Sequence, residues 1–146
     1  MAPPRVLRQA ASVAIGLALV GAMHAVGATQ ACAPADAGCA IFTGERALTA
    51  HLRDDDRSLP PATSRCANCH TGTPSAASFA PLLTPDYLLT PTKRRGGPAS
   101  SYDEKNFCQV LRNGVDPAGV LVRKAMPRYE ISDDECTTMW RYLTKR

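Results

Sequence analysis

Five consecutive residues, Cys66-Ala67-Asn68-Cys69-His70, place two thiols three positions apart and an imidazole beside the second. Residues three apart share one face of a helical turn. Two thiols so placed can each form a thioether with a haem vinyl group, and the adjacent imidazole can then reach the iron. C-x-x-C-H is the attachment pattern of covalent haem, which makes one haem c the expected cofactor, with Cys66, Cys69 and His70 binding it. Three other chemistries compete for these residues. A redox dithiol of the thioredoxin kind wants a strand-helix-strand setting, whereas the residues before Cys66 (DDDRSLPPATSR) are polar and proline-rich. A zinc site would combine Cys66 and Cys69 with Cys108 and Cys136, two cysteines too far apart in sequence to form the usual second close pair. An ordinary disulfide is the third.

An iron held by His70 from one side needs a ligand on the other, and Met126, Met139 and His51 are the side chains to weigh. Met126 precedes Pro127, and a proline disfavours helical geometry in the residue before it, so Met126 is expected on a loop free to turn its sulfur inward. Met139 falls in a helical pattern beside Trp140 and Leu143 and reads as core packing. His51 lies in a polar stretch and reads as solvated. Met126 is therefore the expected distal ligand to the iron, with His51 second.

Where this chemistry would take place follows from the N-terminus. Arg5 and Arg8 precede an uncharged run from Ala10 to Met23 and then small residues, the pattern of a secretory signal peptide over 1–31. The run is shorter than the ~20 residues of a membrane span, and no second apolar stretch follows it, so no stable span is expected after cleavage. The expected location is the periplasm. A lipoprotein acylated at Cys32 is a minor alternative.

The whole chain of 146 residues has 17 Lys+Arg against 13 Asp+Glu. Without the first 31 residues about 115 remain, and the net charge falls to about +2. Such a balance lacks the clustered excess of cations that nucleic acid requires, so no nucleic-acid partner is expected. The one basic cluster is Lys93-Arg94-Arg95, and the turn-rich loop Arg94-Arg95-Gly96-Gly97-Pro98 reads equally as a solvated surface or as a partner for a haem propionate or an acidic redox protein. Asp54-Asp55-Asp56 reads as a solvated charge cluster rather than a calcium site.

The elements that must position the chemistry follow from pattern. Residues 32–64 read as an N-terminal extension and 65–146 as the haem domain. Ile41 to Leu52 is expected as a short helix, with Ala47, Leu48 and Leu52 on one face and Thr43 as N-cap. Thr71 to Thr92, rich in Pro, Ser and Thr, is expected as loop and short helix. Ser101 and Glu104 form a capping box that opens a helix with Phe107, Val110 and Leu111 on its inner face, and Gly114 stops it. Ser132 and Glu135 form a second capping box, followed by Cys136, Met139, Trp140 and Leu143 at helical spacing. All six cysteines lie beyond the signal segment, where disulfides persist. Of the three pairings open to the other four, spacing favours Cys32 with Cys39 and Cys108 with Cys136. The second would clamp the loop that carries Met126.

Cys66-Ala67-Asn68-Cys69-His70, the helix ending in Leu111-Arg112-Asn113-Gly114, then Met126-Pro127-x-Tyr129 and a last helix with Trp140-x-Tyr142-Leu143 resemble a monohaem class I c-type cytochrome over residues 65–143. The resemblance implies an all-α fold, a small helical domain wrapped around one covalently bound haem, with His70 proximal and Met126 distal. It also implies that a proline carbonyl, of Pro81 or Pro74, accepts the ring N–H of His70 and so fixes the imidazole. Two departures stand out: residues 32–64 show no clear equivalent of that family's glycine- and aromatic-bearing first helix, and Cys108 and Cys136 are extra. The expected function is a periplasmic electron carrier, not an enzyme, that docks transiently on redox protein partners at the haem edge. A haem enzyme or sensor with an open sixth site and a subunit of a larger dehydrogenase or oxidase complex are the alternatives.

Overall fold

The computed structural model describes residues 32–72 and 80–145. The expected signal segment, Pro74 and Phe79 lie outside the described residues. Cys32 to Arg146 belong to one compact unit.

The expected all-α class is corrected. Five helices are accompanied by two small antiparallel sheets of two strands each, so the described fold is mixed. The helices are α1 (Ala37–Thr43), α2 (Ala67–His70), α3 (Pro85–Leu89), α4 (Glu104–Asn113) and α5 (Asp133–Thr144). Strand β1 (Thr49–His51) pairs with β4 (Arg128–Glu130), and β2 (Thr92–Lys93) pairs with β3 (Ala99–Ser100). The strands were hidden because each is two or three residues long, too short to show alternation, and because β1 finds its partner only near the other end of the chain.

The expected helix over Ile41–Leu52 is corrected as well. Asp36 caps α1 upstream of that range, its carboxylate accepting from the Cys39 N–H at 2.8 Å. Thr43 sits in the last turn, not at the cap, and its hydroxyl donates to the Cys39 carbonyl at 3.0 Å. Gly44, at φ +79°, ends the helix in the left-handed conformation that a glycine adopts without strain. Gly38 faces α5 so closely that a Cβ would collide with that of Tyr142 and stand 2.9 Å from the Thr138 carbonyl oxygen. Phe42 then stacks against Tyr142 with ring centroids 5.9 Å apart. α1 thus bears a glycine, Gly38, and an aromatic, Phe42, both packed against α5. Residues 32–64 also contribute Ile41, Phe42 and Ala50 to the buried core.

Helices α4 and α5 start and stop as their sequences suggest, with one exception. Asp103, not Ser101, caps α4, accepting from the Asn106 N–H at 2.7 Å. Gly114 closes it at φ +67°. Ser132 and Glu135 form the reciprocal capping box of α5. Phe107, Val110, Leu111, Cys136, Met139 and Leu143 are all buried, which places the core between these two helices and α1. Disulfides join Cys32 to Cys39 and Cys108 to Cys136. The first leaves Cys32 no thiol for acylation. The second links α4 to α5 and encloses the loop carrying Met126. No helix among the described residues is long and apolar enough to cross a membrane.

Candidate functional site

Cys66 has helical backbone angles, and the Cys69 and His70 N–H groups both donate to its carbonyl, at 3.2 and 3.0 Å. One helical turn therefore spans Cys66 to His70 and sets the two thiols on the same side of it. The Asn68 side chain anchors the turn by donating to the Ala62 carbonyl at 2.9 Å. Thr71 ends it in extended backbone. Cys66 and Cys69 are the two free cysteines among the described residues. Burial pushes the Cys66 thiol up to about 11, with the nearby Tyr129 acting in the opposite direction, so it stays a neutral thiol at ordinary pH.

The His70 ring answers a question that its sequence leaves open. Nδ1 lies 2.7 Å from the Pro81 carbonyl oxygen. A carbonyl only accepts, so Nδ1 carries the hydrogen and donates it, leaving the Nε2 lone pair for a ligand. Burial lowers the imidazole pKa, outweighing the bond to Pro81, and so favours the neutral ring that a metal needs.

Met126 closes a turn, its N–H donating to the Arg123 carbonyl at 3.0 Å. Pro127 then leads directly into β4. The loop before it is organised by Asp116, whose buried carboxylate accepts from the Ala118 and Val120 N–H groups at 3.0 and 2.7 Å and pairs with Arg95. Val122 returns to donate its N–H to the Gly114 carbonyl at 2.8 Å, which brings the chain back over α4 just before Met126.

These residues meet at one cavity of about 880 Å³. Its lining includes Cys66, Cys69, His70 and Met126, with apolar walls such as Leu83, Phe107 and Leu111. Volumes of roughly 300–1,000 Å³ with few polar groups characterise sites for cofactor-sized ligands. Arg65, Arg95 and Arg123 also line it, and among the described residues no Asp or Glu does. The cavity thus suits a large, mainly apolar ligand that carries negative groups. Met139 lines it too, yet is only 2% exposed and belongs to the core. His51 is half-buried in β1, paired with Arg128, and is not among the lining residues.

The zinc alternative loses two of its four ligands, since Cys108 and Cys136 are bonded to each other. No group of three or more His, Cys, Asp or Glu side chains that could hold a metal occurs among the described residues. The basic loop also differs from both of its sequence readings at Arg94. The residue is 4% exposed, and its guanidinium lies over the rings of Tyr87 and Tyr102 at 4.9 and 5.1 Å and donates to the Tyr87, Thr92 and Ser100 carbonyls. Arg95 alone of the pair reaches the cavity. Of the acidic cluster, Asp55 binds Arg57, which holds its carboxyl well below the usual carboxylate range, and Asp54 stands near Arg53 and Lys124. Sequence reasoning places Tyr87 in a segment packed on the haem edge but misses Tyr102 as a cavity residue, whose only available signal was its position just after the basic loop.

Comparison with protein-family profiles, with curated proteins and with solved structures returned no match.

Proposed function

We propose that the chain is an exported monohaem c-type cytochrome that carries electrons between redox proteins. One observation carries the reading: a single apolar cavity is lined together by the two free thiols, the histidine and the methionine that such a cofactor requires. When bound, haem supplies one-electron chemistry at its iron. Cys66 and Cys69 would tether it, each thiol adding across a vinyl double bond with sulfur on one carbon and hydrogen on the other. That addition needs no oxidant and no leaving group. His70 would offer Nε2 to the iron, its ring oriented through Pro81. Met126 would offer its sulfur as the distal ligand, and sulfur ligation with burial favours a high potential. Apolar walls would keep water from the metal, and Arg95 would face a carboxylate of the cofactor.

Nothing in this role asks a side chain to move a proton. Partners would be other redox proteins in the periplasm, meeting the protein through a small interface of less than roughly 1,200 Å² that forms and parts quickly. The test is expression with haem-maturation machinery, followed by denaturation in alkaline pyridine. Haem that stays with the polypeptide, and is lost from a Cys66→Ala/Cys69→Ala double variant, is the expected result. A colourless wild-type chain would overturn the reading and return these thiols to disulfide or other thiol chemistry.

A further inference from the structure

Tyr129 lies three residues after Met126, at the centre of β4, and is 7% exposed. A phenol in such a place costs stability unless its hydroxyl is bonded. Its hydroxyl donates to the Ser64 carbonyl at 2.8 Å, joining positions 65 residues apart. Ser64 is itself buried and stands two residues before Cys66. Cys66 and Tyr129 line the same cavity. The β1–β4 ladder fixes which way Tyr129 points: Ala50, fully buried, lies opposite it, with Thr49 opposite Glu130 and His51 opposite Arg128. A slip of one residue in that pairing would turn Tyr129 to the other face.

We infer that Tyr129 is a positioning residue that ties the cysteine attachment turn to the methionine loop, so that the Cys66 tether and the Met126 sulfur are held as one unit. The inference rests on the haem reading above. Residues 32–64 thereby acquire a role, because β1 sets the register of the strand that carries this hydroxyl.

The experiment compares the haem-loaded wild type with Tyr129→Phe, which keeps the ring and removes only the hydroxyl. Ile131→Val, which trims a buried side chain on the same segment but outside the cavity lining, controls for a general loss of packing. Covalent haem is measured in alkaline pyridine. The hold on sulfur is measured as the pH at which the ferric sulfur-to-iron band disappears and as cyanide affinity. With one buried hydrogen bond removed, Tyr129→Phe should bind cyanide roughly three- to tenfold more tightly and lose the band at lower pH, while Ile131→Val stays close to wild type. Wild-type values for Tyr129→Phe, or equal shifts in Ile131→Val, would overturn the positioning role alone. A wild type without covalent haem would overturn the haem reading and this inference with it.

Discussion

The Cys108–Cys136 disulfide encloses the segment that carries Met126, and its removal has a calculable cost. Its cysteines are 28 residues apart, against 7 for Cys32–Cys39. Loop-closure entropy gives about 3.6 kcal/mol at 25 °C for the longer ring and about 2.4 kcal/mol for the shorter. A Cys108→Ala/Cys136→Ala variant should therefore lose about 1 kcal/mol more stability than Cys32→Ala/Cys39→Ala, and the loss of a fully buried sulfur at Cys136 adds to the difference. Denaturant unfolding of the three proteins, compared at their midpoints with a common slope, measures both losses. The ring also predicts a functional contrast. With Cys108–Cys136 absent the methionine loop is freer, so the ferric sulfur-to-iron band should be lost at lower temperature and lower pH. Loss of Cys32–Cys39, which encloses only the start of α1, should leave the band in place until global unfolding. Equal or reversed stability losses, or a band equally affected in both variants, would refute the assignment of the longer disulfide as the clamp on this loop.

Gly38→Ala would drive a methyl group into Tyr142 and the Thr138 carbonyl, separating α1 from α5 at a cost of roughly 1–3 kcal/mol; an unchanged unfolding midpoint would contradict their close packing. Glu135 has its pKa lowered chiefly by the Ser132 backbone N–H, and further by the Ser132 hydroxyl and Arg46. Because the folded value lies below the unfolded one, its charge stabilises the fold above about pH 4.5, and this contribution is lost as the pH falls through the folded pKa. Glu135→Gln should therefore be less stable than wild type at neutral pH by about 0.5–1 kcal/mol, with the gap closing in acid; a gap that does not change with pH would contradict the charge argument. Arg95→Met removes the cation beside the fully buried Asp116 carboxylate and should cost roughly 2–4 kcal/mol by denaturant unfolding, since two backbone N–H groups remain to that carboxylate; a neutral effect would contradict the pair.

Local signals made α4, α5 and the attachment turn legible. Ser132 and Glu135 bracket the first turn of α5, and the apolar positions of α5 recur on one face. Such information is contained in adjacent residues. The misread parts depend on partners distant in the chain. Thr49-Ala50-His51 becomes a strand because Arg128-Tyr129-Glu130 lies beside it, and nothing in the triplet itself distinguishes it from the tail of a helix. Thr43 can cap a helix or end one, and Asp36 upstream decides which. Arg94 reads as a surface cation until Tyr87 and Tyr102 cover it. At the site, the types and spacing of Cys66, Cys69 and His70 are plain in the sequence, and the helical spacing that reads Met139 as core packing agrees with its burial. The Pro81 carbonyl beside the His70 ring was one of two prolines suggested by resemblance. The hydroxyl of Tyr129 reaching Ser64 had no local signal at all, because its meaning lies in a contact between residues 65 positions apart.

The most direct measurement is the ferric absorption spectrum of the protein expressed with haem-maturation machinery, beside that of Met126→Ala. A low-spin wild type with a sulfur-to-iron band, and a variant that loses the band and gains cyanide affinity, is the predicted outcome. A high-spin wild type, or a variant with an unchanged spectrum, would contradict a haem held between His70 and Met126.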